Sequence, residues 1–261
     1  MRPSHCKRVW RDGGVVHVLT LHLVDPRVAE IAATTGWDCL WVDLEHSPKT
    51  TADLERICRA VRAAAGACDA PLPDVMARPG KGEFMRLGRL LEAGAHGILY
   101  PRCESPDEAR ETVRWAKFAP LGERGFDGGN ADNRYGAAPP DEYVRAANDN
   151  TWLAVQLESP HAVDQADDIA AVDGVDALFF GPGDYSCLTG VPGQFTADDV
   201  LAAARRVADA ARHAGRVFAT MGLTPDHYRA VRDMGCRMIA CGADQGLLRR
   251  AMTDLRRSLA T

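Results

Sequence analysis

Two carboxylates in this 261-residue chain, Glu158 in VQLESP and Asp184 in GPGDYS, each follow an apolar run of strand length. An acid in front of a helix is commonly a cap or a partner for the helix dipole. Glu158 is not used up that way: Ser159 already supplies the cap, so a second anion there needs a partner of its own. Two such carboxylates make a hard oxygen site with positions left open, the manner in which Mg²⁺ or Mn²⁺ is held. Arg78 (ARPG) closes another apolar run and is a fixed cation, suited either to a structural ion pair or to clamping a substrate. His46 (DLEHSP) has the chemistry of a proton carrier, with a carboxylate, Asp43, three residues before it. On its own each residue has a structural reading. As a set they suit an enolate, with metal and Arg78 sharing the oxyanion and His46 moving a proton.

That set requires a scaffold that brings several strand ends to one rim. Strand-length apolar runs lie at 15–21, 39–44, 74–78, 97–102, 152–158, 176–181, 216–221 and 237–242. They are nearly continuous in hydrophobicity, as parallel strands buried on both faces are. Between them the period is helical. Leu54, Ile57, Cys58 and Val61 form one apolar stripe, and the small residues Val200, Ala203, Ala204, Val207, Ala208 and Ala211 form another. Ser105-Pro106 and Ser159-Pro160 mark helix starts, and Gly36, Gly66, Gly94 and Gly215 are expected to close helices.

Eight strands, each followed by a helix, predict an α/β fold: a (β/α)8 TIM barrel forming one domain over 1–261. The rival doubly wound sheet usually carries a glycine-rich turn after its first strand, and no G-x-G-x-x-G or G-x-x-x-x-G-K-[ST] occurs. Residues 1–14 read as an N-terminal extension and 245–258 as a C-terminal helix. The stretch 119–150, containing ERGFDGGNADNRYG, reads as a long irregular active-site loop.

Composition narrows the classes further. Hydrophobic residues make up 46% and charged residues 26%, with a formal net charge of −5, so no basic surplus points to nucleic acid. No apolar run is long enough to cross a bilayer, and the N-terminus lacks the apolar core of a secretory signal. The eight cysteines include no C-x-x-C pair and read as core residues of a reduced protein. A soluble cytoplasmic enzyme is expected. Of the four lysines (Lys7, Lys49, Lys81 and Lys117) none falls in a predicted strand. A Schiff-base aldolase, which needs a desolvated barrel lysine, is therefore disfavoured.

WVDLEHSP (41–48), ARP (77–79), LLEAGAHGILYPRCESPDEAR (90–110), PLGERGF (120–126), VQLESP (155–160) and VDGVDALFFGPGDYS (172–186) resemble the HpcH/HpaI aldolase family. The motifs run in the same order from about residue 15 to 245. The resemblance implies a class II aldolase that uses a divalent metal (Mg, Mn or Co) and cleaves a 4-hydroxy-2-oxo acid into pyruvate, or hydroxypyruvate, and an aldehyde. It implies that Glu158 and Asp184 bind the metal. Arg78 would contact the keto oxygen and stabilise the enolate, with Gln156 beside it. His46, paired with Asp43, would be the acid/base system, acting through a water on the metal. The backbone N–H groups of Gly183 and Asp184 would hold the substrate carboxylate.

Family members are typically hexamers, trimers of dimers that exchange the last helix, so a homo-oligomer is implied. Glu92 stands where the family often has Asp, near a neighbouring subunit's site, where it would bear on the aldehyde. GPGDYS replaces the commoner GPADLS, which puts Tyr185 beside a metal ligand. The 119–150 loop, expected to select the acceptor, differs from that of the dicarboxylate-processing members. Oxaloacetate decarboxylation, or a citrate-lyase-like reaction on an acyl-CoA, is the alternative on the same site. The CoA version would draw on Arg102, Arg124 and Arg134 for phosphates. A non-catalytic barrel is more remote, because it has no need of two unpaired carboxylates at one rim.

Overall fold

Parallel strands cannot be joined by tight hairpins, and each pair needs a crossover, here a helix laid on the outside. The computed structural model describes residues 1–259. Its strands are β1 (Val16–Leu21), β2 (Cys39–Asp43), β3 (Asp74–Arg78), β4 (Gly97–Tyr100), β5 (Trp152–Leu157), β6 (Ala177–Phe180), β7 (Val217–Met221) and β8 (Met238–Ala243). They pair in parallel in chain order, and β8 pairs with β1 to close the barrel. The predicted (β/α)8 architecture is the one observed.

Hydrophobicity is continuous along these strands because the two faces bury different cores. Alternate residues such as Val16, Val18, Cys39, Trp41, Met76, Leu99, Ala154 and Phe179 fill the barrel interior. Their neighbours Leu19, Leu40, Val75, Ile98, Val155 and Leu178 pack against the helices. The small-residue stripe of helix Asp198–His213 is buried in that outer layer.

Helix starts follow the capping pattern. Ser105 and Ser159 accept from the backbone N–H groups of Glu108 and Ala162, and Thr50 with Asp53 forms a reciprocal capping box. Gly36, Gly94 and Gly215 adopt φ of 84°, 110° and 67° past the ends of their helices. Gly66 is a correction. It lies inside helix Thr51–Ala67, and the left-handed residue after that helix is Asp69, with φ 50°. The segment 119–150 is more regular than expected, since it contains helix Pro140–Asn150. Only Tyr143 and Ala147 of that helix are buried, packed with Phe118 as a separate small core, too short an apolar stripe to announce a helix.

The N-terminal extension has a structural task. Helix His5–Arg11 places Cys6 and Trp10 in the interior cluster at the starts of the strands, where the Trp10 and Trp152 rings meet edge to face at 5.4 Å. Asp74, 1% exposed at the start of β3, anchors it. The carboxylate accepts from Ser4 Oγ at 2.5 Å, the His5 and Cys6 amides at 2.9 and 3.2 Å, and Trp152 Nε1 at 3.0 Å. His96 Nδ1 lies 3.7 Å away. Burial opposes ionisation of Asp74, but the His96 charge and the Ser4 and Trp152 bonds outweigh it and hold the carboxyl below its usual range. Burial in turn holds His96 below its usual range.

Both depressed values work in one direction. The folded state resists protonation that the unfolded chain accepts, so stability is full above an unfolded His value near 6.5 and falls as the pH drops. The expected result in urea unfolding is a midpoint that declines from about pH 6.5 downward. Asp74→Ala, which strands four donors, three of them buried, should cost about 3 kcal/mol or more at pH 7. A midpoint unchanged by the substitution would show that the anchor is not as described.

Candidate active site

The inward alternation does not stop where the apolar residues stop. On β2 the inward set is Cys39, Trp41, Asp43; on β3 it is Asp74, Met76, Arg78; on β5 it is Trp152, Ala154, Gln156 and then Glu158 just past the strand end. The last member of each series is polar, so the C-terminal mouth of the barrel is a charged layer resting on an apolar one. The β2–β3 register pairs Cys39 with Asp74 and Asp43 with Arg78, which sets the last two side by side. A cavity of ≈ 520 Å³ opens at this mouth, lined by His46, Arg78, Gln156, Glu158, Gly183 and Asp184 among others.

Arg78 is held rigidly. Its Nη2 and Nε donate to the two oxygens of Asp43 at 2.7 and 2.9 Å, and Nε lies 3.2 Å from Glu45 Oε2. The guanidinium sits 4.7 Å above the centre of the Trp41 ring. Nη1 is left to reach toward the cavity floor, 3.5 Å from Gln156 Oε1. Burial works against ionised Asp43, but the bond to Arg78 and its charge outweigh it, and the carboxyl stays below the usual range.

Glu158 is 2% exposed. Burial first, then the charge of Asp184, pushes its carboxyl up to about 8. Gln156 Nε2 donates to Oε2 at 2.6 Å, and the Arg102 amide donates to Oε1 at 3.0 Å. Gly181 has to be glycine: a Cβ there would stand 2.5 Å from Glu158 Oε2 and 2.9 Å from Gln156 Nε2. Asp184 comes from the first turn of helix Pro182–Leu188, where the N–H groups have no partner inside the helix. Among the described residues neither Glu158 nor Asp184 has a cation within ion-pair distance, and no group of three or more His, Cys, Asp or Glu side chains could hold a metal ion. Two crowded carboxylates without a counter-charge, in a cavity with space beside them, fit a hard divalent cation that takes its remaining ligands from water and substrate.

The structure thus brings together Asp43, His46, Arg78, Gln156, Glu158, Gly183 and Asp184, but not in every expected relation. His46 is not oriented by the Asp43 carboxylate. That carboxylate faces Arg78 and accepts from the backbone N–H groups of Glu45 and His46, at 3.1 and 3.4 Å, not from the imidazole, whose Nε2 lies 3.6 Å from Glu45 Oε2. The reason is parity: Asp43 points inward beside Arg78, and the chain has already turned at His46, whose side chain is 63% exposed at the cavity edge. Glu92 does not line this cavity. It ends helix Leu87–Glu92 and lies 3.6 Å from Arg124 Nη2. Arg124 is itself buried, stacked over Phe118, so it is not placed to bind a nucleotide phosphate.

Thr20, His22, Trp41, Arg249 and Arg250 also line the cavity and were not anticipated. Counting by twos along β1 from Val18 through Thr20 to His22, or along β2 from Cys39 to Trp41, would have found the first three. No lysine lines it. Lys49 is buried with its ammonium on the His22 carbonyl at 2.9 Å, and Lys7 and Lys117 lie near Asp176, at 3.2 and 3.8 Å. All eight cysteines are free thiols. Among the described residues no helix is long and apolar enough to cross a membrane.

The model of the HpcH/HpaI aldolase/citrate lyase family matches residues 17–251. The chain belongs to this family. A hydroxypyruvate/pyruvate aldolase of Delftia acidovorans is 39% identical over 90% of this chain and 85% of its own length. A 2-keto-3-deoxy-L-rhamnonate aldolase of Escherichia coli is 32% identical over 90% and 85%. Among solved structures, an HpcH/HpaI family protein from Burkholderia cenocepacia shares 31% identity and a TM-score of 0.89, covering 99% of this chain and all (100%) of that one. HpcH/HpaI proteins are aldolases and citrate lyases by the family's name, so this chain is a carbon–carbon lyase.

Because Arg78 and Asp43 are buried together, removing one strands the other's charge. Asp43→Ala should lower unfolding stability by about 3 kcal/mol. A loss below about 1 kcal/mol in denaturant titration would mean that Glu45 alone suffices to hold Arg78.

Proposed function

We propose that this protein is a divalent-metal-dependent aldolase that reversibly cleaves a 4-hydroxy-2-oxo acid into pyruvate, or hydroxypyruvate, and an aldehyde. The observation that carries the reading is the Arg78 guanidinium, locked by Asp43 and Glu45 and aimed across Gln156 at the Glu158–Asp184 pair. The names of the relatives, a hydroxypyruvate/pyruvate aldolase and a 2-keto-3-deoxy-L-rhamnonate aldolase, support the same chemistry.

Glu158 and Asp184 would hold the metal, Mg²⁺, Mn²⁺ or Co²⁺, which when bound supplies Lewis-acid stabilisation of negative charge on the 2-oxo acid. The chain's own residues account for the rest. First-turn N–H groups at Gly183 and Asp184 receive the substrate carboxylate, and Gln156 sits beside the keto group. His46, at the solvent edge with Glu45 behind it, takes the proton of the C4 hydroxyl through a water. The C3–C4 bond breaks, the aldehyde carbonyl forms at C4, and the bonding pair passes through C3 to the keto oxygen as an enolate. Arg78 donates to that oxygen without having to reorganise, since its orientation is already set. Protonation at C3 then gives pyruvate.

A homo-oligomer, a hexamer assembled as a trimer of dimers, completes the reading. Leu247, Leu248, Met252 and Leu255 of the C-terminal helix are exposed in the single chain, and only Asp244 of that helix is buried. Glu92 and the 119–150 segment, tied together through Arg124, would then act on the aldehyde at a neighbour's site. The setting is cytoplasmic.

Deuterium exchange at the pyruvate methyl, followed by NMR, tests the enolate without knowledge of the aldehyde. Exchange is expected with Mg²⁺, Mn²⁺ or Co²⁺ and should stop on adding EDTA; exchange that persists in EDTA would remove the metal from the reaction. Arg78→Ala should abolish both exchange and aldol cleavage, because both pass through one enolate, and retained exchange would take Arg78 out of that role. Glu158→Ala should lose metal binding while remaining folded by circular dichroism. Full metal-dependent activity in that variant would refute the ligand assignment.

A further inference from the structure

Both oxygens of Glu158 are engaged by the protein itself. One donor is the Gln156 side chain, from the same strand. The other is the backbone N–H of Arg102, which follows β4 and makes this bond from an unusual conformation. Arg102 has φ 49°, in the left-handed region that residues with a Cβ rarely enter. Its guanidinium cannot be the reason, because among the described residues it makes no hydrogen bond or ion pair.

What holds Arg102 is its carbonyl, which accepts from Lys81 Nζ at 2.6 Å. Lys81 is paired with Glu108 at 3.0 Å, and Glu108 accepts from the Tyr100 hydroxyl at 2.9 Å and the Glu104 amide at 2.8 Å. The Gly82 amide, next to Lys81, donates to the Tyr100 oxygen at 3.1 Å. Ser159, next to Glu158, donates to Glu104 at 2.7 Å. The loops after β3, β4 and β5 are therefore tied together around one carboxylate.

We propose that Lys81 and the left-handed Arg102 backbone are positioning residues that preset Glu158 for the divalent cation; this rests on the metal reading given above. A carboxylate bonded at both oxygens cannot rotate, so the lone pairs left for a cation keep a fixed direction before it arrives. Partners in the layer behind a metal ligand typically change metal affinity by about 10–100-fold. Lys81 then has a use for its amine that is neither imine chemistry nor substrate contact.

The test is Mn²⁺ binding by the full-length, metal-free protein, with free Mn²⁺ followed by electron paramagnetic resonance. Lys81→Met and Arg102→Val should each weaken binding about tenfold or more, the first by freeing the Arg102 carbonyl and the second because a β-branched residue resists positive φ. Lys81→Arg should restore most of the affinity. Arg102→Gly, which keeps the N–H and relieves the conformation, should stay within about threefold of wild type. Thermal melts of the metal-free variants check that each is folded, and the Lys81 pair decides the matter if Arg102→Val is not.

Wild-type affinity in both Lys81→Met and Arg102→Val overturns the inference. So does a loss in Arg102→Gly equal to that in Arg102→Val, which would trace the effect to the guanidinium. Wild-type protein that takes up no Mn²⁺ overturns the metal reading itself, and the inference with it.

Discussion

Everything at the mouth of this barrel follows from the alternation of side chains along strands whose register is closed on itself. In an open sheet a strand can slip or fray. In an eight-stranded closed barrel a slip of one residue would turn Val16, Trp41, Met76 and Phe179 out of the interior and the helix-facing leucines and valines into it. The apolar layers therefore lock the register, and the register sets Asp43 beside Arg78. The site is the polar continuation of a hydrophobic pattern, positioned by burial that takes place two and four residues earlier.

That arrangement has an electrostatic consequence. Charges that the pattern carries inward are desolvated and must find partners. Arg78 finds two, Asp43 and Glu45, and becomes a fixed cation rather than a mobile one. Glu158 and Asp184 find each other, which leaves a like-charge pair and a carboxyl pushed up to about 8. Carboxylates without a counter-cation at one edge of a cavity, next to a cation already paired, form the asymmetry that the proposed enolate chemistry would use. The opposite mouth shows the contrasting outcome. Asp74 is equally buried there, but it is saturated by four donors and closes the barrel instead of opening it.

The surroundings of the site divide into rigid and dependent parts. Arg78, Gln156 and Glu158 stand at or beside strand ends and are bonded to one another. His46 and the C-terminal helix are exposed and take little support from the rest of this chain. The proposed pyruvate-half chemistry would draw on the rigid part. The aldehyde-half candidates, Glu92 and the 119–150 segment, form their own small assembly with Arg124, Phe118 and Tyr143, away from the cavity.

Much of this was legible in the residues alone. Eight buried runs separated by helical stripes leave few architectures other than a (β/α)8 barrel, because parallel strands buried on both faces need crossovers. Polar residues ending those runs must then share one rim, so Asp43, Arg78, Gln156, Glu158 and Asp184 could be picked by position. Which of them touch could not. Sequence spacing makes Asp43 and His46 neighbours, while the β2–β3 register makes Asp43 and Arg78 neighbours, and the second distance is the shorter one. The left-handed turn at Arg102, Lys81 reaching its carbonyl, and the plugging of the barrel by helix His5–Arg11 likewise join residues 21 and about 70 positions apart. Local patterning records what each residue can bury and which way it faces; only closure of the barrel brings distant residues within a bond's length.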